Sequence, residues 1–226
     1  MAIVMAVIMA AFVILYAGQH PVIGTKSSPA ASTGGGAVYF NGSTYLQFNR
    51  SFNGNFSAVA WVEYTRFNGT GVIAAQGVGQ NGHSVWYLGS GGEIPGMTLC
   101  GVFSDQKVGN FTAGWRFARS GFIGTGMWHQ LACVYNGSEV SLYIDGRLAN
   151  YTSTPYAMSK GSIIQVGKRT SVFYINGSIQ SYAYFTGYIQ DLQIYGAALT
   201  STQISSLFYG GRNSTLPGYS PYAPLK

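Results

Sequence analysis

Six acidic side chains and three histidines are all the acid–base material in this chain of 226 residues. Glycoside cleavage with retention needs two carboxylates ~5–5.5 Å apart, and no strand-like run here carries two. Glu63, Asp145 and Asp191 are far apart in sequence and singly placed. Asp145 precedes Gly146, where a turn residue is expected. Asp191 reads as a hydrogen-bond acceptor for nearby loops. Glu63 follows Trp61 by two residues on one face of a strand and is open to either role. His20, His83 and His129 show no metal-ligand spacing, and no Ser/His/Asp set, phosphate loop or nucleotide fingerprint appears. The expectation is a protein that is not an enzyme and has no cofactor.

Aromatics are the more abundant resource, with 17 Tyr and 4 Trp. Trp86, Tyr87, Trp115 and Phe117, with Arg116 and Arg119 beside them, form the group to watch as a sugar-stacking platform. The competing role for the same residues is core or subunit interface. The net charge is +6, but charged residues are only 8% and the 12 Lys and Arg are scattered. A nucleic-acid surface concentrates cations on one face, so no nucleic-acid partner is expected.

Nine of the eleven asparagines stand in Asn-x-Ser/Thr: Asn41, Asn49, Asn55, Asn68, Asn110, Asn136, Asn150, Asn176 and Asn213. Asn-Gly turns explain Asn41, Asn68, Asn136 and Asn176 but not the other five. The chain therefore reads as extracellular, exposed at the cell surface and N-glycosylated. Cys100 and Cys133 lie in apolar strand-like runs. They suit either a disulfide, in keeping with an oxidising compartment, or two buried thiols.

The elements that must position these residues are mostly strands. Gly is 32 of 226, and short β-rich runs separated by turns recur from Ala37 to Tyr195. In Trp128–Gly146, Leu131, Cys133 and Tyr135 alternate on one face, Asn136-Gly137 turns the chain, and Val140, Leu142 and Ile144 return. Ten such runs imply two packed sheets. One helix is signalled. Thr200 and Gln203 make a capping box, Leu199 can staple to Ile204, and Ile204, Leu207 and Phe208 share a face before Gly210.

Residues 1–18 are a separate apolar segment. As a helix, Ala2 to Ala17 would span about 24 Å, just short of a ~30 Å hydrocarbon core. Three readings stand open: a filament-core helix, a membrane anchor, and a signal peptide, which lacks its usual basic start. Residues 19–36 have the composition of a flexible linker, residues 37–210 form the globular part, and residues 211–226 are a Pro/Gly/Ser-rich tail.

Three motifs in order resemble the laminin G-like, concanavalin A-like domains: FSAVAWVEY, then Trp128-His129 running to the Tyr143-Ile144-Asp145-Gly146 hairpin, then FTGYIQDLQIYGAALTSTQI. The resemblance spans about Val38 to Gly210. It implies an all-β, two-sheet jelly-roll sandwich with one short capping helix, preceded here by the hydrophobic N-terminal α-helix. It also raises calcium, which takes about six to eight oxygens, with Asp105 as the best anchor and Glu93 second. His129 occupies a family position where packing or hydrogen bonding is expected. The apolar segment resembles a type IV pilin-like N-terminus of archaeal surface proteins. Together the two resemblances imply a subunit of a glycosylated surface filament. It would be held in the membrane before assembly and would polymerise with itself through residues 1–18, with adhesion to surface glycans as a consequence. The alternative is a membrane-anchored laminin G-like lectin.

Overall fold

The computed structural model describes residues 22–24, 36–67, 69–78, 83–91, 94, 96–172 and 180–225. The expected helix of residues 1–18 and most of the expected linker lie outside them. The strands from the first to the eighth are β1 (Val22–Gly24), β2 (Val38–Asn41), β3 (Tyr45–Phe48), β4 (Phe56–Tyr64), β5 (Gly71–Gly77), β6 (Ser84–Ser90), β7 (Met97–Val108) and β8 (Phe111–Phe122). There follow β9 (Trp128–Tyr135), β10 (Glu139–Ile144), β11 (Arg147–Ser153), β12 (Ile163–Val166), β13 (Lys168–Val172), β14 (Gln180–Tyr184), β15 (Thr186–Tyr195), the helix α1 (Ser201–Tyr209) and β16 (Tyr222–Leu225).

The front sheet has the order β1-β3-β12-β5-β6-β7-β8. The back sheet runs β11-β10-β9-β4-β15-β16, with β2 also paired to β15. Every pairing is antiparallel. This is the expected two-sheet sandwich, and period-2 alternation builds its core. Phe56, Ala58, Ala60, Val62 and Tyr64 of β4 face inward, as do Leu131, Cys133 and Tyr135 of β9. They meet Ile73, Trp86, Leu88, Cys100 and Val102 from the front sheet.

Cys100 of β7 and Cys133 of β9 are bonded across this core, Cα to Cα 5.4 Å. Of the two roles open to them, the disulfide is the one formed. At the β8–β11 edge side chains also join the sheets: Asn150 Nδ2 donates to the Arg119 carbonyl at 2.6 Å and Thr152 Oγ1 to that of Phe117 at 2.7 Å.

The helix forms as its caps dictate. Thr200 accepts from the Gln203 N–H, the Gln203 side chain accepts from the Thr200 N–H, and the Gly210 N–H bonds the Ser206 carbonyl. Leu199, Ile204 and Leu207 pack on Val59, Ala132 and Tyr143, covering part of the outer face of the back sheet. Two segments differ from expectation. Val22–Gly24, within the expected linker, pairs with Tyr45–Gln47. The expected tail ends in β16, which pairs with β15 and buries Leu225. The tail's apolar residues Tyr222 and Leu225 find a place only because β2 leaves half of the β15 edge open.

Candidate functional site

The outer face of the front sheet gathers part of the expected platform. Pairing sets Ala75 beside Tyr87, Tyr87 beside Gly101, and Gly101 beside Phe117 in one rung. Trp115 and Phe117 lie parallel with centroids 5.3 Å apart, and Tyr87 meets Trp115 edge-on at 5.3 Å. A Cβ on Gly101 would stand 2.3 Å from the Phe117 ring, so the ring fills the place of a side chain. The hairpin β13–β14 folds over this face. It sets the Arg169 guanidinium 4.0 Å from the Tyr87 centroid and 5.2 Å from that of Trp115. Burial pushes the Tyr87 phenol up, with Arg169 pulling the other way, and the same burial holds Arg169 below its usual range. Arg119 covers Phe117 at 4.8 Å. Arg169 and Arg119 thus make cation–π contacts with the platform.

Three expected site residues are placed elsewhere. Trp86 faces the other way from Tyr87, fully buried and stacked on Phe56 at 4.7 Å, so it is a core residue and not a ligand contact. Arg116 alternates away from Trp115 and lines a small pocket with Thr154 and Tyr156. Asp105 is exposed on β7, its N–H donating to Ser159 Oγ at 2.8 Å. Among the described residues no three His, Cys, Asp or Glu side chains gather in one place. Glu93, Asn68 and Asn176 lie outside the described residues. Asn49, Asn55, Asn110, Asn136, Asn150 and Asn213 are exposed and Asn41 half-buried. Asp191 is buried and accepts from Gln193 Nε2 at 2.9 Å and the Asn213 N–H at 2.8 Å, in keeping with the acceptor role read from sequence.

A second aromatic row, absent from the sequence reading, crosses the outer face of the back sheet. Tyr39 of β2 pairs with Tyr188 of β15, Tyr188 with Glu63 of β4, and Glu63 with Trp128 of β9. All four are half-buried. Tyr39 and Tyr188 have centroids 5.0 Å apart. The centroids of Trp128 and Tyr188 are 6.4 Å apart, although their strands are two spacings of roughly 4.8 Å apart. The two rings lean together over Glu63. Arg212, after the helix, sits 4.6 Å from the Trp128 centroid and donates to Gln190 Oε1 at 3.1 Å. Among the described residues the Glu63 carboxylate has no hydrogen bond or ion pair. Aromatic faces with one free carboxylate suit a sugar: ring C–H groups stack, and hydroxyls donate to the oxygens. Among the described residues, the paired row carries no carboxylate besides Glu63, where a glycosidase uses two. The row was not legible because its members come from residues 39, 63, 128 and 188, brought together by register alone.

Residues 32–205 match the family model described as the concanavalin A-like lectin/glucanases superfamily, of laminin G type. No curated protein matches the chain. Among solved structures it is similar to the heptameric SAP-like pentraxin of Limulus polyphemus, at 15% identity and TM-score 0.59 over 83% of this chain and 90% of that one. It is also similar to domain 4 of AbnA, an extracellular GH43 arabinanase of Geobacillus stearothermophilus, in complex with arabinotriose, at 18% identity and TM-score 0.58 over 83% and 86%. Domains LG4-5 of mouse laminin alpha1 align at 19% identity and TM-score 0.52 over 82% of this chain and 45% of that one.

Proposed function

The chain belongs to the concanavalin A-like lectin/glucanase superfamily, and from that premise we propose that it is a non-catalytic carbohydrate-binding module of the cell surface. The reading is carried by the unpaired Glu63 carboxylate between the Trp128 and Tyr188 rings. A saccharide ring stacks on the row Tyr39–Tyr188–Trp128, and its hydroxyls donate to Glu63. The arabinotriose held by the AbnA domain makes neutral oligosaccharides the first class to try. The test is titration of the full chain with a panel of neutral oligosaccharides, followed by tryptophan fluorescence. We expect at least one to bind, with Trp128→Ala and Glu63→Gln each weakening it by about tenfold, the worth of one charge-assisted hydrogen bond or stacked ring. Binding that neither variant changes, or none across the panel, overturns the reading.

A second reading is favoured by the apolar residues 1–18. Here the same module forms the outside of a homopolymeric filament assembled through that segment, extracellular and N-glycosylated. A sixteen-residue apolar surface must be buried by lipid or by copies of itself. Electron microscopy of sheared surface material distinguishes the two. Filaments containing this chain that are lost on Ala10→Asp support the polymer, and detergent-dependent single particles support the anchored lectin.

A further inference from the structure

The pocket holding Arg116 lies at the other end of the sandwich from Trp128. Trp128 opens β9, whose far end is Tyr135. Thr154 bonds the Ser138 carbonyl beyond that end at 2.7 Å, and the Met158 N–H donates to the Tyr135 hydroxyl at 3.3 Å. The pocket is formed by Val102, Ser104 and Arg116 from β7 and β8 and by Thr154 and Tyr156 after β11. Its volume is about 10 Å³, room for one water-sized atom. Thr154 is 2% exposed and its Oγ1 has no hydrogen-bond partner. Arg116 is half-buried, makes only a 3.4 Å bond from Nη1 to the Trp115 carbonyl, and pairs with none of the described carboxylates. The pocket therefore brings a cation, Arg116, together with one buried hydroxyl, Thr154 Oγ1, that lacks a partner. A buried hydroxyl without a partner is costly, and a guanidinium recognises planar or tetrahedral oxyanions.

We infer that this pocket is an oxyanion site, taking one oxygen of a carboxylate or sulfate against Thr154 Oγ1 while Arg116 neutralises the charge at the mouth. The small volume admits a single oxygen, so the rest of the ligand stays outside, as it would for a uronate or sulfate ester at the end or side of a saccharide. The site does not depend on the aromatic row.

Backbone amide NMR of the full chain in detergent tests it, at low ionic strength, with glucuronate, inorganic sulfate and glucose as probes. Glucuronate and sulfate shift the amides of Phe103, Gly114 and Tyr156, and glucose does not. Arg116→Gln weakens both anions by at least about tenfold, and Thr154→Val weakens them to a lesser degree. Glucuronate binding more tightly than sulfate identifies an acidic saccharide as the ligand; equal binding identifies a site for free oxyanions. Absence of shifts, or shifts that survive Arg116→Gln, overturns the inference. If Arg116→Gln loses its dispersed spectrum, Arg116→Lys and Thr154→Val decide. Undiminished binding in both also overturns it.

Discussion

His129 Nδ1 and Asp145 Oδ2 stand 2.8 Å apart, and the second oxygen of the same carboxylate accepts from the Gln130 N–H at 2.9 Å. Asp145 and Gly146 both have positive φ, 51° and 74°, the signature of a type I′ turn between β10 and β11. The pair looks like the orienting half of a hydrolytic triad, but His129 Nε2 is buried with no partner. Among the described residues no hydroxyl or thiol is hydrogen-bonded to Nε2, as a nucleophile handing its proton to the imidazole would be. The carboxylate instead locks the turn to the start of β9.

Replacing Asp145 by Ala removes two hydrogen bonds, one to a half-buried imidazole, and places Ala at positive φ. The expected loss is about 2–3 kcal/mol, against about 1 kcal/mol for Asp145→Asn, which keeps the turn preference. Urea unfolding of the two variants, with the disulfide intact, checks the difference.

Gly146 is held by the helix. A Cβ there would sit 2.8 Å from Phe208 Cβ, and Ser205 Oγ donates to its carbonyl at 2.7 Å. Gly146→Ala therefore combines φ strain with displacement of Phe208, and should cost about 2–3 kcal/mol. Gly109, at φ 59° with nothing within 4 Å, carries the strain alone, so Gly109→Ala should cost about 1 kcal/mol. Equal shifts in thermal melts of the two would show that helix contact adds nothing.

The Cys100–Cys133 bond closes 33 residues between the two sheets. Replacing both by Ala should lower stability by about 3.7 kcal/mol in the chain-entropy account, or roughly 7–15 °C in melting temperature at this size. Calorimetry of the double variant against the oxidised chain gives the value.

Alkaline pH should weaken the fold through its phenols. Burial pushes Tyr195 and Tyr222 up to about 12, with Asp191 adding to the rise of Tyr195 and Arg50 opposing that of Tyr222, and it lifts Tyr64 further still. A phenol with a raised folded pKa stabilises fully below its unfolded value near 10 and loses that contribution as pH climbs to the folded value. Lys168, lowered by burial, acts in the opposite sense, but it is one group against three phenols. Melting temperature should hold up to about pH 10 and fall between pH 10 and 12, with Tyr195→Phe reducing the fall. A flat profile across that window would contradict the burial argument.

If the chain is glycosylated, Asn136 and Asn150 should differ. Asn136 Oδ1 holds its turn by accepting from Ser138 and Glu139, and at this exposed tip Nδ2 makes no hydrogen bond among the described residues. Asn150 uses Nδ2 on the Arg119 carbonyl, and its sequon hydroxyl, Thr152, bonds Phe117. Glycopeptide mass spectrometry should find Asn136 occupied and Asn150 bare.

Local chemistry was legible in the sequence. Alternation in β4, β9 and β10, the Asp145-Gly146 turn and the Thr200/Gln203 capping box each depend on residues within four positions of one another, and each formed where the pattern placed it. Among the strands that escaped were β8, whose run contains two glycines and two arginines, and β11, which is exposed nearly throughout and has no apolar face to read. Only the tertiary structure decided the rest. Trp86 and Tyr87 are adjacent in sequence, yet the pleat sends one to the core and the other outward, and which is which follows from register with β5 and β7. The same non-local pairing brought Cys100 to Cys133 and set Glu63 between Trp128 and Tyr188. Cross-strand neighbours are fixed by which strands pair and at what offset, and burial of the whole core selects that offset.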